Sequence, residues 1–280
     1  MLKGLDPGHG AFCSTFTSHL TLAGTDKDPI VARVSSLRIL TKYLKLLPVF
    51  ARLERHAPQR GSVFYHPLGD LGRKAVDREA FLRGLCKRKR VLHFGFVDSP
   101  FSAERTKQGK LLHQLLQSVT ALIYGLDIDT SSIEEYRKLT GDRQNACLDI
   151  QQPLPQADFL SQNYDVILFG EILEHLLYPA AAMANLLRIC ELNPKAQLCI
   201  TVPNAYSAMA FFTALSGDEL VHPDHYYYFS PVTLSKLVRD TGFKLAAMYL
   251  YGEPMTMASP GITKHGLIAL CEVPDNQEIG

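Results

Sequence analysis

The sequence predicts an α/β fold: a seven-stranded, mostly parallel sheet with helices on both faces, an antiparallel terminal strand and a helical N-terminal extension. Three observations carry this. Short apolar runs alternate with segments of helical period from residue 73 to residue 203. Two further strand-like runs, "FKLAAMYLY" and "GLIALCEV", follow one another with only a loop between them, which makes them an antiparallel pair at the sheet edge. The 280 residues, 46% of them hydrophobic, suffice for one large domain with an appendage.

Residues 1–28 are rich in Gly, Ser, Thr and Asp without a period and read as loop or arm. Pro29 to His56 has apolar residues at helical spacing, interrupted by Pro48. We read it as a helix packed on the main domain; Arg38, Lys42 and Lys45 leave a membrane-surface helix as the alternative. The loop "APQRGSVFYHPLGDLG" then separates an extension, 1–70, from a main domain, 71–280.

Within that domain a helix from Arg73 to Lys89 leads into a strand over 90–96. A loop "SPFSAERTKQGK" is followed by a helix over Gly109–Ser118, the strand "ALIYGLD" and a helix from Ser131 to Leu139. Next come the strands "NACLD" and "YDVILFG", the helix "AAAMANLLRICEL", the strand "QLCITVP" and the helix "SPVTLSKLVRDTG". In such a sheet the ligand sits at the carboxyl ends of the strands.

Charge excludes some partners. Lys plus Arg total 29 against 28 for Asp plus Glu, so no overall field attracts nucleic acid or an anionic membrane, and a small-molecule partner is expected. The run "KRKR", Lys87–Arg90, reads as the solvated end of a helix. Six scattered cysteines show no zinc-ligand spacing to a histidine, so no metal is expected and free thiols in a reducing compartment are. No signal peptide or run of about 18 apolar residues is evident, which makes the expectation a cytoplasmic monomer or homodimer.

The carboxyl ends of the strands carry the chemistry. In "VLHFGFVDSP", Gly95 can take a positive φ and lets the backbone approach a cofactor. In "GLDID", Asp127 can accept both hydroxyls of a ribose, while Asp129 caps the next helix. Asp149 ends the third strand, where a carboxylate reaches an adenine amino group. The fourth strand continues as "YDVILFGEILEHLLYP", with Glu171, Glu174 and His175 beside a short helix.

This run resembles the class I S-adenosylmethionine-dependent methyltransferases, which share a Rossmann-like fold, and in particular the branch of ubiquinone-pathway O-methyltransferases. The likeness rests on "EILEHL", "ITVPNAYS" and "HPDHYYYFSPVTLSKLVRDTGF" and covers about residues 73–273. It implies S-adenosylmethionine as cofactor and methyl transfer to a small molecule, with a hydroxyl of a secondary metabolite, sugar or lipid-linked precursor as acceptor. It also implies that His93, Gly95, Phe96 and Asp98 line the methionine part of the cofactor. Asp127 would meet the ribose, Asp149 with Ile150 the adenine, and Phe169, Gly170 and Glu171 the transferred methyl group, with Ile128 a further cofactor-binding residue.

The first motif departs from the family's pattern of an acid and three spaced glycines. His93 stands at the acid, Val97 at the second glycine, and Asp98 is the candidate replacement for the missing carboxylate. Val97 disfavours positive φ, so the turn follows another path. A buried strand histidine is the alternative for His93. The acceptor's proton needs a base near neutral pH, and His225 is the candidate, with His222 and Tyr226 lining the acceptor; a structural histidine is the alternative. His175 reads as a structural helix-end group. A catalytically inactive protein of the same fold is the competing function, and a nicotinamide dehydrogenase is disfavoured because no G-x-G-x-x-G occurs.

Overall fold

The computed structural model describes residues 74–252 and 265–274, so the readings for residues 1–73 lie outside the described residues. Among the described residues fifteen helices and strands follow in order: β1 (Ala75–Val76), α1 (Arg78–Cys86), β2 (Arg90–Phe94), α2 (Ser102–Lys107), α3 (Leu112–Gln117), β3 (Leu122–Asp127), α4 (Thr130–Thr140), β4 (Asn145–Cys147), β5 (Val166–Gly170), α5 (Pro179–Leu192), β6 (Gln197–Pro203), α6 (Ala208–Ser216), α7 (Pro231–Asp240), β7 (Lys244–Tyr251) and β8 (Gly266–Glu272). Single 3₁₀ turns lie at Asp158–Leu160 and Leu173–His175.

The strands form one sheet in the order β1-β7-β8-β6-β5-β2-β3-β4. Only β8 runs antiparallel to its neighbours β6 and β7, as the closely spaced last two runs predicted. From β2 the chain winds outward through β3 to β4, then returns to the other side of β2 as β5. That reversal opens a crevice beyond the carboxyl ends of β2 and β5, the place where sheets of this kind take ligands.

Burial on both faces explains the apolar strands. In β2 and β5, Leu92, Phe94, Ile167 and Phe169 pack on one side with Met183, Leu186 and Ile189 of α5 and Leu234 and Val238 of α7. Val91, Val166 and Leu168 pack on the other with Leu82 and Cys86 of α1 and Leu116 of α3. Residues two apart share a face, so an alternating split of a continuous apolar run is what a doubly covered strand requires.

Three further elements differ from expectation. The helix expected from Arg73 starts only at Arg78, because Ala75 and Val76 pair with β7 and the Asp77 side chain caps the helix by accepting from the Ala80 N–H. The sheet therefore has an eighth strand. The stretch "SPFSAERTKQGK" is not loop throughout: it contains α2, whose buried faces are the small residues Ser102 and Thr106. Short polar helices of this kind show no apolar period. A further helix, α6, follows β6, capped by Ser207, whose Oγ accepts from the Ala210 N–H.

Gly125 in β3 makes room for the turn after β2. The fully buried Phe96 ring lies on it, so that a Cβ at this position would come within 2.6 Å of the ring. Phe96 is hemmed in by His113 and Tyr136, with ring centroids at 4.9 and 5.3 Å. Gly125→Ala is therefore expected to overpack this pocket and destabilise the fold by about 1–3 kcal/mol, read as a lower urea midpoint. An unchanged midpoint would show that Phe96 can move aside freely.

Candidate functional site

A cleft of about 950 Å³ opens at the reversal point, and its wall includes residues 93–99 at and beyond the end of β2, Asp127 to Asp129 at the end of β3, Leu148 to Gln151 after β4 and Phe169 to Ile172 at the end of β5. Each group reaches it because a strand ends there. The eleven residues expected to meet the cofactor, His93, Gly95, Phe96, Asp98, Asp127, Ile128, Asp149, Ile150, Phe169, Gly170 and Glu171, all line this one cleft.

Gly95 adopts φ 69°, and a Cβ on it would come within 2.9 Å of the Ile172 side chain. It is the one residue of this turn at positive φ, which is how the chain accommodates Val97 in place of a second glycine. Asp127 Oδ2 accepts from the Val97 N–H at 3.3 Å and Oδ1 from the Asp129 N–H at 3.0 Å, so the carboxylate ties β3 to the glycine turn. Burial raises its pKa against those backbone hydrogen bonds. Asp149 Oδ1 accepts from the Gln151 N–H, and the Asn185 amide of α5 donates to the carbonyls of Ile150 and Gln152 at 2.8 Å each, fixing the loop after β4. Asp129 caps α4 as expected, accepting from the Ser132 N–H.

His93 and Asp98 have partners that the sequence did not announce. The His93 ring is buried, 3.2 Å Nδ1 to Nδ1 from His113 of α3. Asp98 forms an ion pair with Arg105 of α2, and its N–H donates to Ser102 Oγ.

Glu171 follows β5 at φ 54°, a backbone state that costs a residue with a Cβ roughly 1–2 kcal/mol. Its N–H donates to the Thr201 carbonyl. Its Oε1 accepts from Thr201 Oγ1 at 2.7 Å and Tyr251 Oη at 2.6 Å, with Arg78 Nη2 at 3.8 Å. Arg78 also donates to Thr201 Oγ1, while its Nε is buried without a partner. Arg78, Thr201 and Tyr251 were missed because the sequence places them far from any motif. A helix-start arginine at the carboxyl edge of the sheet was the available signal.

Beyond Glu171 the chain turns through Leu173–His175. Glu174 is 1% exposed and both its carboxylate oxygens lack hydrogen-bond partners, so burial, then the Glu171 charge, raises its pKa. The Glu174 carbonyl accepts the N–H groups of Tyr226 and Tyr227, which docks residues 222–228 over the turn. This gathers His175, His222 and His225, each with one ring nitrogen within 4.8 Å of one on the other two. Desolvation, then the neighbouring imidazoles, lowers the His225 pKa to about 4. Tyr226, expected beside the acceptor, is exposed.

A profile of the methyltransferase-domain family matches residues 105–247, beginning beyond the Gly95 turn. Among solved structures, the small RNA methyltransferase HEN1 aligns with a TM-score of 0.51 at 14% identity, over 79% of this chain and only 27% of that one. An S-adenosylmethionine-dependent methyltransferase from Methanosarcina mazei aligns at 0.46 and 12% identity, over 71% of this chain and 100% of its own. Magnesium protoporphyrin IX methyltransferase from Synechocystis PCC 6803, with bound SAH, aligns at 0.43 and 16% identity, over 85% and 100%. At these identities the likeness is one of fold. No curated protein matches the chain.

The buried imidazole pair sets an acid limit. Burial lowers the His113 pKa from 6.5 to about 4, and burial with the His113 neighbour lowers that of His93. At these two rings the unfolded chain takes up protons that the folded chain excludes, so the pair's contribution to stability is lost as pH drops from about 6.5 to about 4. His113 alone accounts for roughly 3 kcal/mol of that loss. His113→Phe is expected to flatten the slope by that share in urea titrations at pH 7 and pH 4; an unaltered slope would refute the assignment.

Proposed function

Because the chain belongs to the methyltransferase-domain family, we propose that it transfers the methyl group of S-adenosylmethionine to a hydroxyl oxygen of a small molecule. One observation carries this reading: the glycine turn, Asp127, Asp149 and Glu171 stand in order along one cleft of sufficient size for a nucleoside joined to an amino acid. The residues fit that cofactor. Each Asp127 oxygen accepts one backbone N–H and keeps a lone pair for a ribose hydroxyl. The unpartnered Nε of Arg78 suits the carboxylate at the amino-acid end.

S-adenosylmethionine supplies an electrophilic methyl group on a sulfonium. The protein's part is to aim and to exclude water. Glu171, locked by Thr201 and Tyr251, fixes the floor of the cleft beside the reacting position, and buried Phe169 closes it from below. The histidines over the turn handle the acceptor's proton, with His225 central among them.

Charge favours a small acceptor over a nucleic acid. The cleft wall carries eight acidic residues and three arginines or lysines, in a chain whose net charge is +1. Such a wall attracts a cationic donor and repels a phosphate backbone. A second cavity of about 840 Å³, lined by Tyr206, Phe211, Leu220 and Tyr228 among others, suits an apolar acceptor body. The Tyr228 ring stands 5.4 Å from that of His225, which links this cavity to the histidines. These features favour the lipid-linked member of the acceptor class and keep the ubiquinone-pathway branch as the nearest analogy. In this reading residues 71–280 form the catalytic domain and 1–70 an appendage. The free cysteines among the described residues suit a reducing cytoplasm.

S-adenosylmethionine at one hundred times its dissociation constant is expected to add about 2.7 kcal/mol of stability, seen as a higher unfolding temperature. No shift at millimolar ligand would overturn the reading. Asp127→Ala is expected to weaken that binding about 10- to 100-fold in calorimetry, the worth of hydrogen bonds to a charged group; full affinity in this variant would remove the ribose assignment.

A further inference from the structure

We propose that His93 Nε2 accepts a hydrogen bond from the ammonium group of the methyl donor, and that His113 is the positioning residue that leaves this nitrogen bare. The inference rests on the methyl-transfer reading and deepens it: His93 stands where the first motif would have an acid, and the imidazole pair keeps that acid's accepting role. His93 of β2 is 2% exposed and His113 of α3 is fully buried. Their Nδ1 atoms stand 3.2 Å apart, with the ring planes 15° from parallel and the centroids 5.4 Å apart. Such a contact needs one proton between the two nitrogens, since two protons or two lone pairs would repel. His113 Nε2 is sealed in without a partner. His93 Nε2 also bonds nothing among the described residues, but it is open to the cleft that His93 lines.

Two arrangements satisfy the pair, and they differ in what the cleft meets. Burial keeps both rings neutral, so each carries one proton. If His93 holds its proton on Nδ1 and donates to His113, its Nε2 faces the cleft as a lone pair and His113 carries its proton on Nε2. In the reverse arrangement His93 shows the cleft an N–H. Two fixed charges select the first. The Arg78 guanidinium acts on His93 and the Asp142 carboxylate on His113, so the pair has a cation toward one end and an anion toward the other. Tyr136 Oη donates to Asp142 Oδ2 at 3.3 Å, which ties that carboxylate to the His113 side. A field of this direction turns the N–H bonds toward Asp142 and the lone pair toward Arg78. The His113 Nε2–H then lies among the rings of Phe96 and Tyr136, with centroids 4.9 and 5.8 Å away, and aromatic faces accept such groups weakly.

The amino-acid end of the donor carries a carboxylate and an ammonium on one carbon. Arg78, with its unpartnered buried Nε, suits the first. The bare nitrogen of His93 suits the second, because an ammonium has three donors and no lone pair, and an N–H in its place would turn it away. Exchanging the acid for an imidazole keeps an acceptor and drops a charge. A carboxylate at this position would pair with Arg78 and compete with the ligand's own carboxylate for it. A neutral nitrogen leaves the guanidinium to the ligand.

The test uses the full chain with isotope-labelled histidine rings, S-adenosylhomocysteine, and the same compound lacking its amino group. Without ligand, long-range proton–nitrogen correlation spectra are expected to show one ring, missing from His93→Phe, that is protonated at Nδ1 and bare at Nε2. In calorimetry the deaminated compound is expected to bind the wild-type chain about tenfold more weakly than S-adenosylhomocysteine, the worth of one hydrogen bond to a charged group. His93→Phe is expected to abolish that difference. His113→Phe is expected to move the His93 proton to Nε2 and to weaken S-adenosylhomocysteine about tenfold while sparing the deaminated compound; equal weakening of both would reduce His113 to packing and remove its positioning role. A cooperative urea transition shows that each variant folds, and the two wild-type measurements need no variant. An Nε2–H on His93 in the wild-type chain, or equal wild-type affinity for the two compounds, would overturn the proposal while leaving the methyl-transfer reading standing. A wild-type chain that binds neither compound would overturn that reading, and the proposal with it.

Discussion

The carboxylate of Glu171 joins four segments that are distant in the chain. It takes hydrogen bonds from Thr201 of β6 and Tyr251 of β7 and faces Arg78 of α1, while its own backbone leaves β5 at positive φ. A left-handed residue with a Cβ holds its conformation only when its surroundings over-determine it. Here they do, through the Thr201 carbonyl on the main chain and two hydroxyls on the side chain. Tyr251 can reach because Gly266 of β8 leaves the space: a Cβ there would lie 2.1 Å from the Tyr251 ring. The floor of the cleft thus depends on an absent side chain in the last strand of the sheet.

A second layer of polar anchors holds the loops around that floor. Asn185 donates to two carbonyls in the loop after β4, and Asn193 at the end of α5 donates to the carbonyls of Leu160 and Ile189 while accepting from the Tyr164 N–H. Both asparagines are buried, so each satisfies backbone groups that would otherwise lose their water. The helix α5 acts as more than cover for the sheet: its two amides set the height of the loops that carry Asp149 and precede β5.

The fold was legible where burial is continuous. Runs such as "YDVILFG" and "QLCITVP" are apolar on both faces because the strands are covered on both, as a parallel sheet between helices requires. Gly95, Asp127 and Asp149 were legible because each sits where a strand ends. The helix α2 was not, since its buried positions are Ser102 and Thr106, and β1 was not, since two residues carry no pattern. Long-range polar partners stayed hidden for a different reason. His113 beside His93, Thr201 and Tyr251 beside Glu171, and His225 beside His175 are contacts set by the crossing of elements, and local spacing holds no record of them.

The distribution of cost across the molecule separates fold from function. Core positions on either face of the sheet are buried and apolar, and the asparagines that enter the core find their partners. Beyond the carboxyl end of β5 the pattern changes within four residues. Glu171 is held in a strained backbone state, and Glu174 is buried with neither oxygen bonded. A fold selected for stability alone would place a glycine at the first and an apolar side chain at the second. Retaining two acidic side chains there, one of them pushed toward its neutral form by burial and by the other's charge, is intelligible if they serve something that arrives from outside the chain. The acidic wall of the cleft points the same way: in a nearly neutral protein, a local excess of carboxylates draws cations to this one edge of the sheet.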